Sequence, residues 1–323
     1  MTHDLTLLIP VFNDWPSLEA LLRELDAVLT ARQISAHLLI VDDCSQIPAP
    51  EGFPSQGLKA ISVAEILRLR RNLGHQRAIA IGLAFIHARD EAAVVVVMDG
   101  DGEDRPADVP TLLDEFRRHD GRRVVFAARM RRTEGWGFRL FYWLYRGLHL
   151  VLTGVPVRVG NFSVLPASAL STLVVVSELW NHYAASVFKA QLLYITVPLP
   201  RGTRYFGHSR MNFAALVVHG LSAISVFGDI VGTRLLAAAA VLGGMAMLTL
   251  VGVAGIRFGT TLAIPGWATF TVGLLLILLC QLAVACLLFV FVILAARTGL
   301  TFLPIRDYPH FVAHVTRISP PRD

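Results

Sequence analysis

Acidic residues are scarce in the last third of this 323-residue sequence. After Arg210 the only acids are Asp229, Asp307 and Asp323. The same region contains two uncharged stretches, Leu235 to Ile256 and Phe258 to Ala296. Each stretch supplies the roughly 20 apolar residues that a helix needs to cross a bilayer. We therefore predict two membrane-spanning helices, at about 235–256 and 267–296, which account for the high mean hydropathy of +0.57.

Cysteines are also few. The sequence has Cys44, Cys280 and Cys286, an odd number with two of them inside the second stretch, which excludes a disulfide framework and a cysteine zinc cluster. Nucleic-acid-binding motifs are absent, and an arginine-rich surface facing a membrane explains the net charge of +5. We expect a membrane partner and no nucleic acid. The N-terminus lacks the basic region and cleavage site of a secretory signal.

Basic residues are concentrated outside the two stretches. Four precede the first stretch (Arg201, Arg204, Arg210, Arg234), four follow the second (Arg297, Arg306, Arg317, Arg322), and Arg257 lies between them. The positive-inside rule then predicts an integral membrane protein of the inner or plasma membrane with both termini in the cytoplasm. We divide the chain into a soluble domain (1–210), amphipathic interfacial helices (211–233), a two-helix anchor (234–297) and a cytoplasmic C-terminal tail (298–323).

The soluble part alternates between strand and helix patterns. Apolar runs predict strands at 5–11, 37–41, 66–69, 93–98 and 124–128, and helical spacing predicts helices after Asn13-Asp14, at 78–88 and at 106–119. We expect the Asn13-Asp14 pair to cap the first helix. This alternation is typical of an α/β fold with a mostly parallel sheet and flanking helices.

Polar clusters follow three of these strands, at Pro10–Asp14, Val41–Ser45 and Met98–Asp104. Parallel strands carry their ligand sites at their carboxyl ends, so we expect the three clusters to converge. Asp99 and Asp101 are one residue apart at such an end, and paired carboxylates suit Mg²⁺ or Mn²⁺ together with substrate phosphate. The sequence therefore predicts a metal-dependent site for a phosphorylated substrate.

Three competing motifs fail. An EF-hand loop beginning at Asp99 would need glycine where Asp104 stands and glutamate where Pro110 stands. The glycine fingerprint of dinucleotide-binding folds is absent after the first strand, and no Walker lysine motif occurs. Calcium sensing, hydride transfer and P-loop hydrolysis are thereby excluded.

Four segments, in their order and spacing, resemble the family-2 inverting glycosyltransferases with a GT-A fold: Pro10–Asp14, Val41–Ser45, Arg71–His75 and Asp99–Pro106. Further features are similar to the polyprenyl-phosphate glycosyltransferases, a subgroup that includes the dolichyl-phosphate mannose synthases and undecaprenyl-phosphate sugar transferases. They are Arg129 with Arg132, Arg139–Trp143, Gly160–Phe162, the arginines of 201–210 and the two spans.

The resemblance implies a membrane-bound enzyme that moves a sugar from a UDP- or GDP-sugar to a polyprenyl phosphate at the cytoplasmic face. Pro10, Phe12 and Asp14, with Asp42 or Asp43, would hold the base and ribose, and Arg71 belongs to the same nucleotide-sugar site. Asp99 and Asp101 would bind the metal and face the diphosphate. Glu103 is either a further metal ligand or an acid favoured by a helix N-terminus.

The resemblance also implies a cationic cradle for the lipid phosphate. Arg129 and Arg139 are the favoured ligands, and attraction of these arginines to anionic headgroups is the alternative. Arg132, Arg201 and Arg204 are further candidates for the acceptor phosphate. The sequence does not decide whether the cluster of Arg201, Arg204 and Arg210 lies near the nucleotide side or at the membrane rim. No heptad pattern decides whether the protein forms a homo-oligomer.

Three positions depart from the relatives. Asn161 stands where an aspartate is common, Cys44 replaces a glycine, and His208 replaces an acid. Other functions stay open: transfer to diacylglycerol or ceramide, which would need a general base, a processive polysaccharide synthase, or an inactive membrane scaffold. The donor sugar and its nucleotide are not specified by the sequence.

Overall fold

The computed structural model of the protein describes residues 3–55, 57–90, 92–129, 136–155, 159–207, 213–261, 266–298 and 302–318. These residues form two compact units. The first comprises 1–145, 156–226 and 301–323, and the second comprises 146–155 and 227–300. The chain therefore enters the second unit twice, at 146–155 and at 227–300, and returns to the first unit each time.

A single mixed sheet organises the first unit. Its strands are β1 (His3–Val11), β2 (Ala36–Asp42), β3 (Ile61–Leu69), β4 (Ala92–Val97), β5 (Val124–Arg129), β6 (Ser163–Pro166), β7 (Tyr194–Leu199) and β8 (Val312–Ile318). They lie in the order β7-β5-β6-β4-β1-β2-β3-β8. The four central strands, from β4 to β3, are parallel, whereas β6 and β8 pair antiparallel with their neighbours. The predicted α/β class is confirmed.

The described residues form helices in both units. They are α1 (Trp15–Ala31), α2 (His75–Arg89), α3 (Val109–Arg118), α4 (Trp136–Thr153), α5 (Ala167–Leu173), α6 (Tyr183–Lys189), α7 (Phe213–Ser225), α8 (Gly228–Gly259), α9 (Trp267–Thr298) and α10 (Pro304–Asp307). Helix α4 begins in the first unit and ends in the second. The predicted strands and helices of the first 130 residues are all present, with the strand at 66–69 extended to start at Ile61.

Alternate residues of the central strands point into two separate cores. Leu38 and Ile40 of β2 pack on the α1 side, and Leu39 and Val41 pack on the α2 side. Because helices cover both faces of these parallel strands, these side chains on both faces are apolar and buried. Asp42, the last residue of β2, and Asp43, which follows it, keep the same alternation, so their side chains lie on opposite faces at the site described below.

The second unit contains the two apolar helices. Within the described residues, Gly228–Gly259 and Trp267–Val292 are long and apolar enough to cross a membrane, and few of the residues in them are buried. A buried core helix would show the opposite, so the exposed apolar surface fits a lipid environment. The first helix begins seven residues before the predicted span at 235. His208, Arg210 and the start of the predicted interfacial segment lie outside the described residues, and α7 and the start of α8 cover its remainder.

The segment after the second apolar helix is part of the sheet. It was expected to be a tail, but α10 and β8 fold against the first unit, and β8 pairs with β3 from Ala64 and Ile318 to Leu69 and Val312. Phe302 and Phe311 pack around Trp180, with ring centroids 3.9 and 5.1 Å from the Trp180 ring. The sequence Val312–Ile318 does not alternate regularly between apolar and polar residues, and its five central residues are exposed, so it gave no clear strand signal.

Candidate functional site

The three polar clusters predicted to converge lie at the carboxyl ends of adjacent strands. Strands β4, β1 and β2 are consecutive in the sheet, and all three end at the same edge. The loops after β1 and β2 are fastened to each other because Asn13 Oδ1 accepts from the backbone N–H groups of Gln46 and Ile47, at 2.7 and 3.0 Å. Ser45 Oγ accepts from the Asn13 N–H at 2.9 Å. Asn13 therefore joins two loops, and neither it nor Asp14 caps α1 through its side chain.

Asp43 fastens the end of β2 to the turn that starts α2. Its two carboxylate oxygens accept from the backbone N–H groups of Leu73 and Gly74, at 2.7 and 2.8 Å. Burial raises the pKa of Asp43 and nearby Asp42 adds to this, while the two N–H donors and His75 offset part of the increase. Hydrogen bonds to a carboxylate contribute about 1.5–3 kcal/mol each, so this contact fixes the position of the α2 N-terminus.

Asp42 points to the other face of the sheet. Its Oδ1 accepts from the Ser45 N–H at 2.8 Å, and its Oδ2 lies 3.5 Å from the Arg68 guanidinium. With Trp15 and Phe53 it lines a cavity of about 290 Å³ beneath the loop that follows β2. The sequence left open whether Asp42 or Asp43 binds the nucleotide. In the structure Asp42 lines the cavity and contacts Arg68, whereas Asp43 is bonded to the turn before α2.

The acidic loop, Asp99 to Asp104, follows β4 and is held in shape by its own carboxylates. Asp104 is buried and accepts from the Asp99 N–H at 2.8 Å, and Asp101 accepts from the Glu103 N–H at 2.9 Å. Gly102 has a φ of +90°, which a residue with a side chain rarely adopts. The loop thereby presents Asp99, Asp101 and Glu103, each partly exposed, at the edge of the sheet.

His75 at the start of α2 lies directly beside the acidic loop. Its Nε2 is 3.0 Å from Asp99 Oδ1 and 2.9 Å from the Asn161 amide nitrogen. Burial lowers the pKa of His75, but Asp99, followed by Asp104 and Asp101, raises it more, so that it lies above its ordinary value. The motif Arg71–His75 contributed to the resemblance, yet sequence analysis gave His75 no role.

A hydrogen-bond chain orients the Asn161 amide. The Tyr183 backbone N–H donates to Gln76 Oε1 at 2.7 Å, and Gln76 Nε2 donates to Asn161 Oδ1 at 3.0 Å. Because a backbone N–H can only donate, the Asn161 NH₂ group must face the imidazole. Asp99 favours a protonated Nε2, whereas the Asn161 NH₂ favours a bare one. Sequence reasoning missed Gln76, whose partners are 85 and 107 residues away.

The segment Arg201–Tyr205 packs on the acidic loop and completes it. Arg201 forms an ion pair with Glu103, and Arg204 forms one with Asp101. Backbone hydrogen bonds run from Gly202 N–H to the Glu103 carbonyl at 2.9 Å and from Tyr205 N–H to the Asp101 carbonyl at 3.1 Å. Arg201 and Arg204 were predicted as acceptor-phosphate ligands, and the structure places both guanidinium groups against the acidic loop.

The remaining predicted residues divide into two groups. Pro10 is buried at the end of β1, Phe12 is half-buried, and Arg71 is exposed in the turn before α2. Arg129 ends β5 and Arg139 lies in α4, but the side chains of both, and the whole of Arg132, lie outside the described residues. Their role as a phosphate cradle stays a prediction.

The acidic loop has the donor chemistry that Mg²⁺ and Mn²⁺ prefer, since Asp99 and Asp101 supply carboxylate oxygens at a sheet edge. Among the described residues, however, no three His, Cys, Asp or Glu side chains converge as a preformed metal site. Asp101 and Glu103 instead face guanidinium groups, those of Arg204 and Arg201. Carboxylates of this kind fit a divalent cation once a guanidinium has moved away.

Comparisons with known proteins agree with this geometry. The model of glycosyl transferase family 2 matches residues 6–174. The undecaprenyl-phosphate 4-deoxy-4-formamido-L-arabinose transferase of Enterobacter sp. is 25% identical, over 82% of this chain and 79% of its own length. The dodecaprenyl-phosphate galacturonate synthase of Rhizobium johnstonii is 27% identical over 36% of this chain and 33% of its own length.

The fold is also similar to solved structures. Glucosyl-3-phosphoglycerate synthase from Mycobacterium tuberculosis, crystallised with Mn²⁺, UDP-glucose and phosphoglyceric acid, aligns with a TM-score of 0.52 at 16% identity. The alignment covers 71% of this chain and 80% of that one. At this identity the likeness concerns the fold, which is the GT-A arrangement expected from the sequence. The family match spans more than half of the chain, from β1 through the acidic loop to α5, and the protein therefore belongs to glycosyl transferase family 2.

Proposed function

We propose that the protein transfers a sugar from a UDP- or GDP-sugar to a polyprenyl phosphate at the cytoplasmic face of a membrane, with inversion at the anomeric carbon. The observation that carries the proposal is the acidic loop, because Asp99 and Asp101 lie where parallel strands bind phosphorylated ligands. The polyprenyl-phosphate transferases among the relatives and the two apolar helices support a lipid acceptor.

The donor would lie over the ends of β1, β2 and β4. Pro10, Phe12, Asp14 and Arg71 are the proposed contacts of the nucleotide, and Asp43 fixes the turn that brings His75 to the acidic loop. Asp99 and Asp101 would hold Mg²⁺ or Mn²⁺, which supplies Lewis-acid stabilisation of the negative charge on the diphosphate. Glu103 is a further candidate ligand beside Arg201.

The transfer itself needs few groups. An oxygen of the lipid phosphate attacks the anomeric carbon, the bond from that carbon to the diphosphate oxygen breaks, and the nucleoside diphosphate leaves with the electron pair. A phosphate acceptor is already anionic at neutral pH, so no strong base is required. Arg129, Arg132 and Arg139 are the proposed cradle for it, since guanidinium groups bind phosphate through paired hydrogen bonds.

An incorporation assay tests the proposal. The purified full-length protein is incubated in detergent with Mn²⁺, undecaprenyl phosphate and a panel of radiolabelled UDP- and GDP-sugars. We expect a labelled lipid that releases its sugar on mild acid treatment. The absence of labelled lipid with every common donor would contradict the proposed function.

A parallel set of acceptors tests the alternative lipids. An alcohol acceptor would need a general base, and His75 is the imidazole that the structure places beside Asp99. Replacing undecaprenyl phosphate by diacylglycerol or by ceramide is expected to abolish labelling. Labelling of either neutral lipid in preference to the phosphate would instead support transfer to a hydroxyl group.

A further inference from the structure

We infer that Arg204 is a positioning residue that exchanges partners: it holds Asp101 in the cation-free protein and yields this carboxylate to a divalent cation when the nucleotide arrives. The inference rests on the proposed function, because it concerns the same donor site. It differs from the expected role of Arg204 as an acceptor-phosphate ligand. It predicts that Arg204 and the cation compete for Asp101.

The backbone of the segment Arg201–Tyr205 is fixed to the acidic loop at both ends. Gly202 N–H and Tyr205 N–H donate to the carbonyls of Glu103 and Asp101, and the Tyr205 hydroxyl donates to Glu24 Oε2 at 2.7 Å. These contacts involve neither guanidinium group. The segment is therefore held against the acidic loop by its backbone and by Tyr205. This places Arg201 beside Glu103 and Arg204 beside Asp101.

Two glycines make this close docking possible. A Cβ on Gly202 would overlap the carbonyl oxygen of Gly102 and lie 2.9 Å from Arg105 Cγ. A Cβ on Gly102 would lie 2.5 Å from the Tyr205 ring. The backbones of the loop and the segment are thus so close to each other that only glycine fits at these two positions. The approach leaves no room for a larger residue at either position.

The charges explain why the docked state excludes a cation from Asp101. The Asp101 side chain is 16% exposed and the Arg204 side chain 25% exposed, so that the pair is shielded from much of the solvent. A cation that ligates Asp101 would lie beside the guanidinium, and like charges in a shielded site repel strongly. Arg204 must therefore move before the cation binds. A guanidinium matches a diphosphate in charge and geometry, so the incoming nucleotide offers Arg204 a new partner.

Manganese binding in the absence of any nucleotide tests the competition. Free Mn²⁺ is titrated against the full-length protein in detergent and followed by electron paramagnetic resonance. Arg204→Gln keeps most of the side-chain volume and removes the charge, and we expect it to bind Mn²⁺ about fivefold or more tightly than the wild type. The matched control is Arg118→Gln, which breaks a surface ion pair with Glu115 on α3 and should leave Mn²⁺ affinity unchanged. Equal or weaker Mn²⁺ binding by Arg204→Gln, or an equal gain in the control, would overturn the inference.

A second variant separates docking from charge. Gly202→Ala retains both arginines but prevents the close approach, so we expect it also to tighten Mn²⁺ binding. Deuterium uptake in the peptide covering 201–207 should rise in this variant, because the backbone hydrogen bonds from Gly202 and Tyr205 to the acidic loop are weakened. Unchanged Mn²⁺ affinity in Gly202→Ala despite higher uptake would show that the docked segment does not control the cation.

Adding UDP or GDP tests the exchange itself. In the wild type the nucleotide should tighten Mn²⁺ binding more than in Arg204→Gln, because only the wild type gains a contact between the guanidinium and the diphosphate. Equal tightening in both proteins would contradict the exchange. These measurements require neither a sugar nor a lipid, so a failure of sugar transfer with the predicted Mn²⁺ behaviour would count against the proposed function alone.

Discussion

At the scale of single residues, Asp101 is the side chain on which the proposed chemistry depends most. We expect Asp101→Ala to lower sugar transfer by about 100-fold or more, the size of effect seen when a group that stabilises developing negative charge is removed. Initial rates of lipid labelling at saturating donor measure this. Asp120→Asn, in an exposed turn after α3, is the control and should retain full activity. A loss of only a few-fold in Asp101→Ala would contradict the metal assignment.

A second residue-scale prediction concerns His75. Asp99 and its acidic neighbours raise the pKa of His75, so its imidazole should titrate above the ordinary value of about 6.5. A folded-state pKa above the unfolded one means that the charged imidazole stabilises the fold at low pH and that this contribution is lost as the pH rises through the raised value. Nuclear magnetic resonance of histidine-labelled protein gives the midpoint. A midpoint below 6.5 would contradict the role given to Asp99.

Asn161→Asp extends this prediction. It replaces the NH₂ group that faces His75 by a carboxylate oxygen, and the added negative charge should raise the His75 midpoint further. Asn161→Ala, which removes the amide without adding charge, is the control and should shift the midpoint much less. Identical midpoints in Asn161→Asp and the wild type would show that the amide does not face the imidazole.

At the scale of elements, the packing of α2 on the central strands sets the position of the site. A Cβ on Gly82 would overlap Leu8 of β1 and lie 2.9 Å from Val41 of β2, and both side chains are fully buried. We expect Gly82→Val to destabilise the protein by about 1–3 kcal/mol through overpacking. Thermal unfolding in detergent measures the change. Gly147→Ala is the control. Gly147 lies in a helix and a Cβ added there would have no neighbouring atom within 4 Å, so the unfolding midpoint should not fall.

The elements also show what could be read from the sequence and why. Apolar runs such as Val94–Met98 are buried on both faces, so composition alone identifies β4 and the acid pair that follows it. Strand β8 was missed because its apolar and polar residues do not alternate regularly and its five central residues are exposed. The contacts of Asp101 with Arg204 and of Gln76 with Asn161 join residues 103 and 85 positions apart, and no local pattern encodes such pairs.

At the scale of the whole molecule, the sheet constrains the side of the membrane on which the two ends of the helix pair lie. Strand β1 precedes them and β8 follows them, and both strands belong to one sheet. The two flanks of the helix pair must therefore lie on the same side of any membrane that the helices cross, and the basic flanks predict the cytoplasmic side.

Cysteine labelling in oriented cells or vesicles measures this topology. With the native cysteines replaced, cysteine at position 122 or 310 should react with an impermeant reagent only from the cytoplasmic side. Cysteine at Thr260, in the connection between α8 and α9, should react only from the opposite side. Labelling of positions 122 and 310 from opposite sides would be incompatible with the shared sheet.

The return of the chain through β8 has a consequence for biosynthesis. Because β8 is translated after both apolar helices, the edge of the sheet formed by β3 stays open while these helices are being made and inserted. An open strand edge is prone to pairing with other chains. The ribosome therefore delivers the strand that closes this edge only after the membrane anchor, and maturation of the transferase unit is coupled in time to membrane insertion.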